Sequence, residues 1–374
     1  MWGRWLLAVL ALYLLIVAVG LIGDGFSAVG EDAAESAFDF AANPIVGLFV
    51  GILATSLVQS SSTTTAITVT AVGAGALPVE VAVPIIMGAN IGTSVTNTLA
   101  SLGHAGNRDE FRRAFAASTV HDFFNIIAVL ILLPLELLFH PIQRSAEWLS
   151  DALYGTVLPD PGDADVVGRL TDPVVSVLGP EGIFGVLPNQ VAAGIGSMIL
   201  GVVLIFLAVR WLGKILQTII IGRARTWLKR VVGGHPSVAM GVGMLVTVAA
   251  QSSSVTTSTM VPFAGSGALT TREIYPLTLG ANVGTTATGL IAALAVSGGG
   301  AQDALTIALV HLLFNVFGIG LIYVLPFLRG VPVWCAEKLA AVATAHKSVA
   351  AVWIVTVFLA VPAAVVLAQA FLFS

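Results

Sequence analysis

The feature that most constrains this chain is an internal duplication. The stretch Val58-Gln-Ser-Ser-Ser returns 192 positions later as Ala250-Gln-Ser-Ser-Ser. Each copy is followed, after the same interval, by a second motif, Gly88-Ala-Asn-Ile-Gly-Thr or Gly280-Ala-Asn-Val-Gly-Thr. Aligned without a gap, the 45-residue stretches that begin at Val58 and Ala250 are identical at 20 positions. The chain is therefore built from two related halves.

The composition places both halves in a lipid bilayer. The chain is 57% apolar and only 10% charged, far from the balance of a soluble domain. A helix needs about 20 apolar residues to cross a bilayer. The first apolar run is too long for a signal peptide and no small-residue cleavage site follows it, so we expect an uncleaved helix. Seven predicted crossings lie near 3–23, 78–103, 115–138, 189–212, 274–297, 304–326 and 348–372.

The distribution of charge predicts the sidedness of these helices. The connection 213–234 carries five basic residues and no acidic one, and a second basic cluster begins at Arg108. Segment 141–187 instead carries seven acidic residues against two basic ones. Cytoplasmic connections are enriched in Lys and Arg. We therefore expect the two basic segments and the N-terminus to be cytoplasmic, and the acidic segment to be external.

Two apolar runs, 44–58 and 236–250, are too short for a comfortable crossing before the polar motif begins. We expect each to enter the membrane, break at Gln-Ser-Ser-Ser and fold back, with Gly75 and Gly267 in the flexible exits. The predicted fold is an all-α multi-pass membrane protein with two inverted-topology repeats, each with a re-entrant helical hairpin and a broken transmembrane helix. Repeat 1 covers 44–140 and repeat 2 covers 235–330. An N-terminal helix and external linker (1–43) precede the first repeat, and a C-terminal linker and helix (331–374) follow the second. Between the repeats, 141–234 holds an external segment, a connecting helix and a basic cytoplasmic linker.

The Gln-Ser-Ser-Ser motifs place hydroxyl and amide groups inside apolar sequence. Backbone at membrane depth leaves a helix only where protein or a water-filled cavity satisfies it. A helix that starts at the serines directs free N–H groups outward, and the hydroxyls add donors, so two such ends could hold a small anion. Helix packing by small residues is the alternative. The predicted anion ligands are Gln59, Ser60, Ser61, Ser62, Gln251, Ser252, Ser253 and Ser254.

The Gly-Ala-Asn motifs are expected to interrupt crossings 78–103 and 274–297. Unwound carbonyls and neutral side-chain oxygens there suit sodium better than a transition metal; a kink without a ligand is the alternative. No Arg or Lys lies in the motif segments, so a bound anion would depend on co-bound cations to offset its charge. We assign Asn90, Thr93, Asn282 and Thr285 to the anion, and Ser94, Thr285, Thr286, Gln251 and Ser252 to sodium.

Few ionisable groups lie inside the predicted crossings. His121 and Asn125 pair with His311 and Asn315 of the second half once two residues are dropped, and we interpret them as groups that bridge helices. Asp122 has an apolar counterpart in the second half, so the duplication does not require it. An intramembrane acid is a functional candidate, and a cation ligand is the predicted role. A buried structural acid is the alternative.

Both doubled motifs, together with the segment Arg108-Asp-Glu-Phe-Arg-Arg-Ala-Phe-Ala-Ala-Ser-Thr-Val-His-Asp122, resemble type II sodium-dependent phosphate cotransporters. The resemblance covers about residues 44–330. It implies sodium-driven symport of inorganic phosphate, alternating access between the repeats, and phosphate held between the two Gln-Ser-Ser-Ser segments. It also implies sodium as the coupling ion, no other cofactor, and a further, electrogenic sodium site at Asn97, Asp122 and Asn125.

The chain departs from that family pattern in places. Where electrogenic relatives commonly have Gln and Asp, it has His104 and Asn107, so one carboxylate of their pattern is missing. The external segment lacks the cysteines that form disulfides in animal members, and no PhoU-like domain follows the second repeat. These features indicate a compact prokaryotic form in the plasma (inner) membrane.

Other functional classes stay open. A symporter of another oxyanion such as arsenate, or a phosphate exporter, would share the motifs. A membrane phosphotransferase is disfavoured, because His121 and Asp122 are adjacent and point to different helix faces, and no nucleophile-elbow pattern precedes any serine. We predict no enzyme activity and no nucleic-acid partner, and the sequence does not specify the oligomeric state.

Overall fold

The computed structural model describes residues 2–29, 43–153, 166–231, 235–296 and 298–372, and this part of the chain is helical with no strand. The α-helices are α1 (Trp2–Val29), α2 (Pro44–Val58), α3 (Ser61–Gly73), α4 (Val79–Gly92), α5 (Val95–Ser101), α6 (Arg108–Phe139), α7 (Pro141–Leu153), α8 (Val166–Leu178), α9 (Gln190–Val231), α10 (Pro236–Ala250), α11 (Ser253–Ser258), α12 (Val261–Gly265), α13 (Thr271–Leu294), α14 (Ala301–Gly318), α15 (Pro326–Arg329), α16 (Val331–Ala345), α17 (Ser348–Val355) and α18 (Val361–Leu372).

The predicted crossings are confirmed in number and place within the described residues. Seven helical segments are long and apolar enough to span a membrane, so the chain is an all-α multi-pass membrane protein. Two of them extend α14 and α17 through π-helical turns, at Ile319–Val324 and Thr356–Ala360. The segments are Leu6–Val29, Val79–His104, Arg108–Phe139, Gln190–Ile215, Thr271–Leu294, Ala301–Val324 and Ser348–Phe371.

The two predicted helix breaks are also confirmed. The short helices α2 and α10 end at Gln59 and Gln251, whose φ angles of 57° and 50° lie in the left-handed region. Few residues other than glycine adopt that region, so each glutamine marks a sharp, specified turn. The returning segments end beside Gly75 and Gly267, which have φ angles of 71° and 78°. Both hairpins thus share one backbone design.

Glycines of the second motif allow close packing of helices. A Cβ atom added to Gly88 would lie 2.0 Å from the carbonyl oxygen of Leu48, and one added to Gly280 would lie 1.8 Å from that of Met240. The first arm of each hairpin therefore packs backbone against backbone on the transmembrane helix after the hairpin: α2 packs on α4, and α10 packs on α13. This is the small-residue contact common between membrane helices.

The expectation of a broken transmembrane helix in each repeat is wrong for the second repeat. In the first repeat, α4 ends at Gly92 and α5 starts at Val95, with Thr93 and Ser94 between them. In the second repeat, α13 runs without interruption from Thr271 to Leu294. The glycines of its motif leave space that the neighbouring helix α10 occupies. They serve close helix packing and not a turn, so α13 continues through them.

The two halves share one apolar core. A single buried cluster includes Leu48 and Ile86 of the first half together with Leu279 and Leu309 of the second. The basic segment 213–234 is helical as far as Val231, since α9 continues to that residue. Parts of the two predicted external segments, 30–42 and 154–165, and residues 232–234 of the basic segment lie outside the described residues. The sidedness of the hairpins stays a prediction.

Candidate functional site

Each Gln-Ser-Ser-Ser turn caps the helix that follows it. The hydroxyl oxygen of Ser60 accepts a hydrogen bond from the Thr63 N–H at 3.2 Å, and that of Ser252 accepts one from the Val255 N–H at 3.4 Å. Serine is a favoured N-cap residue because its oxygen satisfies an N–H group of the first turn. The N–H groups of the residues next in sequence have no acceptor within the helix. Each turn therefore presents unpaired donors.

The two turns meet although they belong to different halves of the chain. The Ser62 hydroxyl donates to the backbone carbonyl of Gln251 at 3.5 Å. A cavity of about 400 Å³ lies against both turns, and its wall on the opposite side is formed by α9. The lining residues are Leu57, Val58, Gln59, Ser60, Thr63, Phe206, Val209, Arg210, Gly213, Gln251 and Ser252.

The structure has both predicted turns, but the two glutamines differ in burial and only two of the six predicted serines line the cavity. The side chain of Gln59 is exposed, whereas Gln251 is 6% exposed, donates to the Val248 carbonyl at 2.7 Å and accepts from the Thr288 hydroxyl at 2.8 Å. Gln251 is thus held in place by protein groups. Of the predicted serines, Ser60 and Ser252 line the cavity, and Ser61, Ser62, Ser253 and Ser254 do not.

The cavity lining includes a positively charged side chain that comes from outside the two motifs. Arg210 of α9 is the one ionisable side chain among the lining residues. The motif segments themselves contain no Arg or Lys, as expected, but α9 belongs to neither motif and contributes this cationic side chain to the cavity. The sequence held a signal, since Arg210 lies inside a predicted crossing, where an ionisable residue is a functional candidate.

Asparagines of the two Gly-Ala-Asn motifs join the halves deeper in the protein. The Asn282 amide donates to the Asn125 side-chain oxygen at 2.9 Å, and Asn125 donates to the Asn90 backbone carbonyl at 2.7 Å. Nε2 of His121 lies 2.5 Å from the Asn282 side-chain oxygen. All four side chains are at most 4% exposed. This geometry supports the interpretation of His121 and Asn125 as bridges, and it keeps Asn90 and Asn282 away from the cavity lining.

The second half repeats this bridge more loosely. The Asn315 amide donates to the Asn90 side-chain oxygen at 3.3 Å, and Nδ1 of His311 lies 3.5 Å from the Thr65 hydroxyl. Asn90 is therefore contacted by one asparagine from each half. The buried amides stabilise the arrangement of α4, α6, α13 and α14, because an unpaired buried polar group is costly.

Hydroxyls predicted as ligands are bonded within their own helices. Thr93 donates to the Ala89 carbonyl and Thr285 to the Ala281 carbonyl, at 2.9 and 3.0 Å. Ser94 and Thr286 donate in the same way to carbonyls three residues earlier. Their oxygens keep lone pairs for a cation, but the unwound carbonyls expected in the second motif are absent from the described helix α13.

Asp122 is fully buried and is surrounded by neutral donors. Its carboxylate accepts from the Trp353 indole N–H at 2.9 Å and from the Thr98 hydroxyl at 3.3 Å. The Asn97 side-chain oxygen instead accepts a hydrogen bond from the Thr257 hydroxyl at 2.8 Å, and the Asn125 amide donates to the Asn90 backbone carbonyl. The structure therefore does not join the three predicted sodium ligands in one contact set. The hydroxyl of Ser94, a predicted sodium ligand, also lies beside the carboxylate. Thr98 and Trp353, which sequence analysis missed, contact it directly.

Near the start of α6, His104 and Asn107 have structural partners. The Asn107 side-chain oxygen accepts from the N–H groups of Asp109 and Glu110, which caps the helix, and His104 lies 3.4 Å from the Glu110 carboxylate. Within the described residues, no three His, Cys, Asp or Glu side chains form a cluster that could hold a metal ion.

Comparison with known proteins assigns these features to a family. The family model described as Na+/Pi-cotransporter matches residues 14–149 and 204–331. The chain is 32% identical over 446 residues to sodium-dependent phosphate transport protein 2B of Pongo abelii, covering 96% of this chain and 64% of that protein. It is 33% identical over 426 residues to sodium-dependent phosphate transport protein 2A of Mus musculus, covering 95% of this chain and 66% of that protein. No solved structure matches.

Proposed function

The chain belongs to the Na+/Pi-cotransporter family, and we propose that it is a sodium-coupled symporter that imports inorganic phosphate across the plasma membrane. The chain spans about two thirds of the length of its curated relatives, so their activity is carried over here as part of the proposal. The proposal includes alternating access between the two repeats, a cytoplasmic N-terminus and inverted orientation of the hairpins.

The contact between the two motif turns carries this proposal. Ser62 and Gln251 are 189 residues apart in sequence and are joined by a hydrogen bond, and both turns line one cavity. Unpaired N–H groups and hydroxyls are the donors that hold phosphate oxygens at helix starts. The first turn precedes a helix of 13 residues, whose dipole favours an anion. The second precedes a helix of 6 residues and contributes chiefly its donors.

Sodium coupling follows from the remaining charge. A divalent phosphate brings two negative charges into a region where the described lining has one cationic side chain. Moving an uncompensated charge through a low-dielectric region is costly. Because Arg210 belongs to the protein and does not move with the phosphate, two sodium ions must move with the phosphate to neutralise its charge. Gln251, Ser252, Thr285 and Thr286 are proposed as ligands of one of these ions, and Asp122 with Asn97 and Asn125 as ligands of a third.

Alternating access requires contacts between the halves that can exchange. Several of these contacts are single hydrogen bonds, such as Thr257 to Asn97 at 2.8 Å and Ser62 to Gln251 at 3.5 Å. At the edge of the second hairpin, Arg113 donates two hydrogen bonds to the Gly265 carbonyl, at 2.9 and 2.7 Å. We propose that such contacts form in one state and open in the other.

Uptake of labelled phosphate into proteoliposomes tests the proposal. We expect uptake that requires an inward sodium gradient and is lost when potassium replaces sodium. Competition by arsenate and sulfate tests the substrate class, and phosphate should compete most strongly. Sodium-independent uptake, or stronger competition by another oxyanion, would contradict the proposal.

A further inference from the structure

The wall that α9 adds to the cavity brings a guanidinium group towards the motif turns. Arg210, Phe206 and Val209 line this wall, and α9 belongs to neither of the duplicated motifs. One turn further, a Cβ atom on Gly213 would lie 3.4 Å from the Ala250 carbonyl oxygen, so α9 contacts the second turn closely. The backbone of α9 therefore packs against the second turn at this level, and the exposed Arg210 side chain lines the cavity.

The guanidinium has no protein partner within the described part of the chain. No described carboxylate or carbonyl accepts a hydrogen bond from Arg210, and none of the lining residues is acidic. Leu57, Val58, Phe206 and Val209 make part of the wall apolar, which lowers the screening of charge near it. Arg210, itself exposed, is therefore an unpaired positive charge in a lining without an acidic residue.

The cavity is a half-open chamber whose size allows it to be hydrated. Since a water molecule occupies about 30 Å³ of liquid, the volume of about 400 Å³ holds a small oxyanion together with several waters. We propose that Arg210 captures the phosphate in this chamber and holds it, partly hydrated, beside the two motif turns. The ligand class is a divalent tetrahedral oxyanion, which a guanidinium binds through two parallel hydrogen bonds. This inference rests on the proposed function.

The alternative role for Arg210 is an anchor at the membrane surface. Arginines near the end of a transmembrane helix extend towards the headgroups, and Arg210 lies five positions before the end of the span Gln190–Ile215. Lys214 lies one turn further on the same helix and is exposed like Arg210, but it does not line the cavity. It provides a matched control, because an anchoring role would apply to both residues.

Equilibrium binding of labelled phosphate to the purified protein in sodium separates the two roles. We expect Arg210→Gln to raise the dissociation constant about three- to tenfold, and Lys214→Gln by less than about twofold. Arg210→Lys should restore part of the affinity, and added choline chloride at constant sodium should reduce the difference between Arg210→Gln and wild type. Equal effects of Arg210→Gln and Lys214→Gln would overturn the inference. Absence of sodium-dependent binding in wild type would contradict the proposed function itself.

Thiol labelling, at phosphate concentrations well above the dissociation constant of the Arg210→Gln variant, gives a second test of whether position 210 lies at the phosphate site. Cys335 is first replaced by serine, and cysteine is then introduced as Arg210→Cys or Lys214→Cys. Phosphate with sodium should slow modification at position 210 by an anionic thiol reagent and leave position 214 unchanged. Equal protection of the two positions, or of neither, would overturn the inference even if the Gln variants proved unstable.

Discussion

The Ser62 hydroxyl lies 3.5 Å from the backbone carbonyl oxygen of Gln251, to which it donates a hydrogen bond, although 189 residues separate the two. Each residue belongs to one copy of the duplicated motif, so this contact joins corresponding turns of the two halves. A duplication alone would allow two separate sites. The contact and the shared cavity instead support one site built from both copies.

The first prediction concerns the two cavity-lining serines. Ser60→Gly and Ser252→Gly each remove a hydroxyl, and we expect the phosphate concentration for half-maximal uptake to rise about ten- to hundredfold, since a hydrogen bond to a charged group contributes ~1.5–3 kcal/mol. Glycine is chosen because it costs an N-cap only a few tenths of a kcal/mol. Asn43→Gly is the control, since Asn43 caps α2 outside the cavity lining. If the phosphate concentration for half-maximal uptake is unchanged in both variants, the two serines serve helix packing and do not bind phosphate.

The second prediction concerns Asp122 and membrane potential. If its carboxylate binds a third sodium ion, each transport cycle carries one net positive charge, which a potential drives at about 2.3 kcal/mol per 100 mV. We expect an inside-negative potential to accelerate uptake by wild type and not by Asp122→Asn, which should still transport phosphate. The exposed Asp151→Asn serves as a control. If the wild-type uptake rate does not depend on the potential while sodium is still required, no third sodium ion is transported and the prediction is contradicted.

The third prediction concerns the amide bridge between the halves. Asn125 and Asn282 are both buried, and removing one leaves a partner group unsatisfied at a cost of about 1–3 kcal/mol. We expect Asn125→Ala and Asn282→Ala each to lower the thermal stability of the purified protein, and the double variant to lose less than the sum of the two. Strictly additive losses would show that the two side chains act independently.

The fourth prediction concerns helix packing at Gly88 and Gly280. An added Cβ atom would overlap the carbonyl oxygens of Leu48 and Met240, so helices must separate. We expect Gly88→Ala and Gly280→Ala each to destabilise the protein by about 1–3 kcal/mol or more, seen as a lower melting temperature in detergent. Gly103→Ala is the control, because a Cβ atom there meets no heavy atom within 4 Å. Wild-type melting of Gly88→Ala would refute the packing role.

Much of the fold was predictable because its signals are local. The seven crossings follow from runs of apolar residues, and the breaks at Gln59 and Gln251 follow from polar residues that interrupt short apolar runs. The doubling of the Gln-Ser-Ser-Ser motif predicted the turns that line the cavity. The Ser60 and Ser252 caps follow from the preference of serine for helix starts.

The rest depends on contacts between distant segments. The Gly280 motif resembled a break, but α10 packs against its glycines and the helix continues. The Gln251 amide is occupied by Thr288 and the Val248 carbonyl, a pairing that spacing does not reveal. Arg210 reaches the cavity because α9 packs beside the second turn. Analysis of the duplicated motifs could not show this contribution, because α9 carries neither motif.

The most direct test of one site built from two halves is the stoichiometry of phosphate binding. Equilibrium dialysis of the purified protein in sodium should give one phosphate per chain, and Ser60→Gly and Ser252→Gly should each weaken that same site without changing the number bound at saturation. Two phosphates per chain, with each substitution abolishing one of them, would contradict the account.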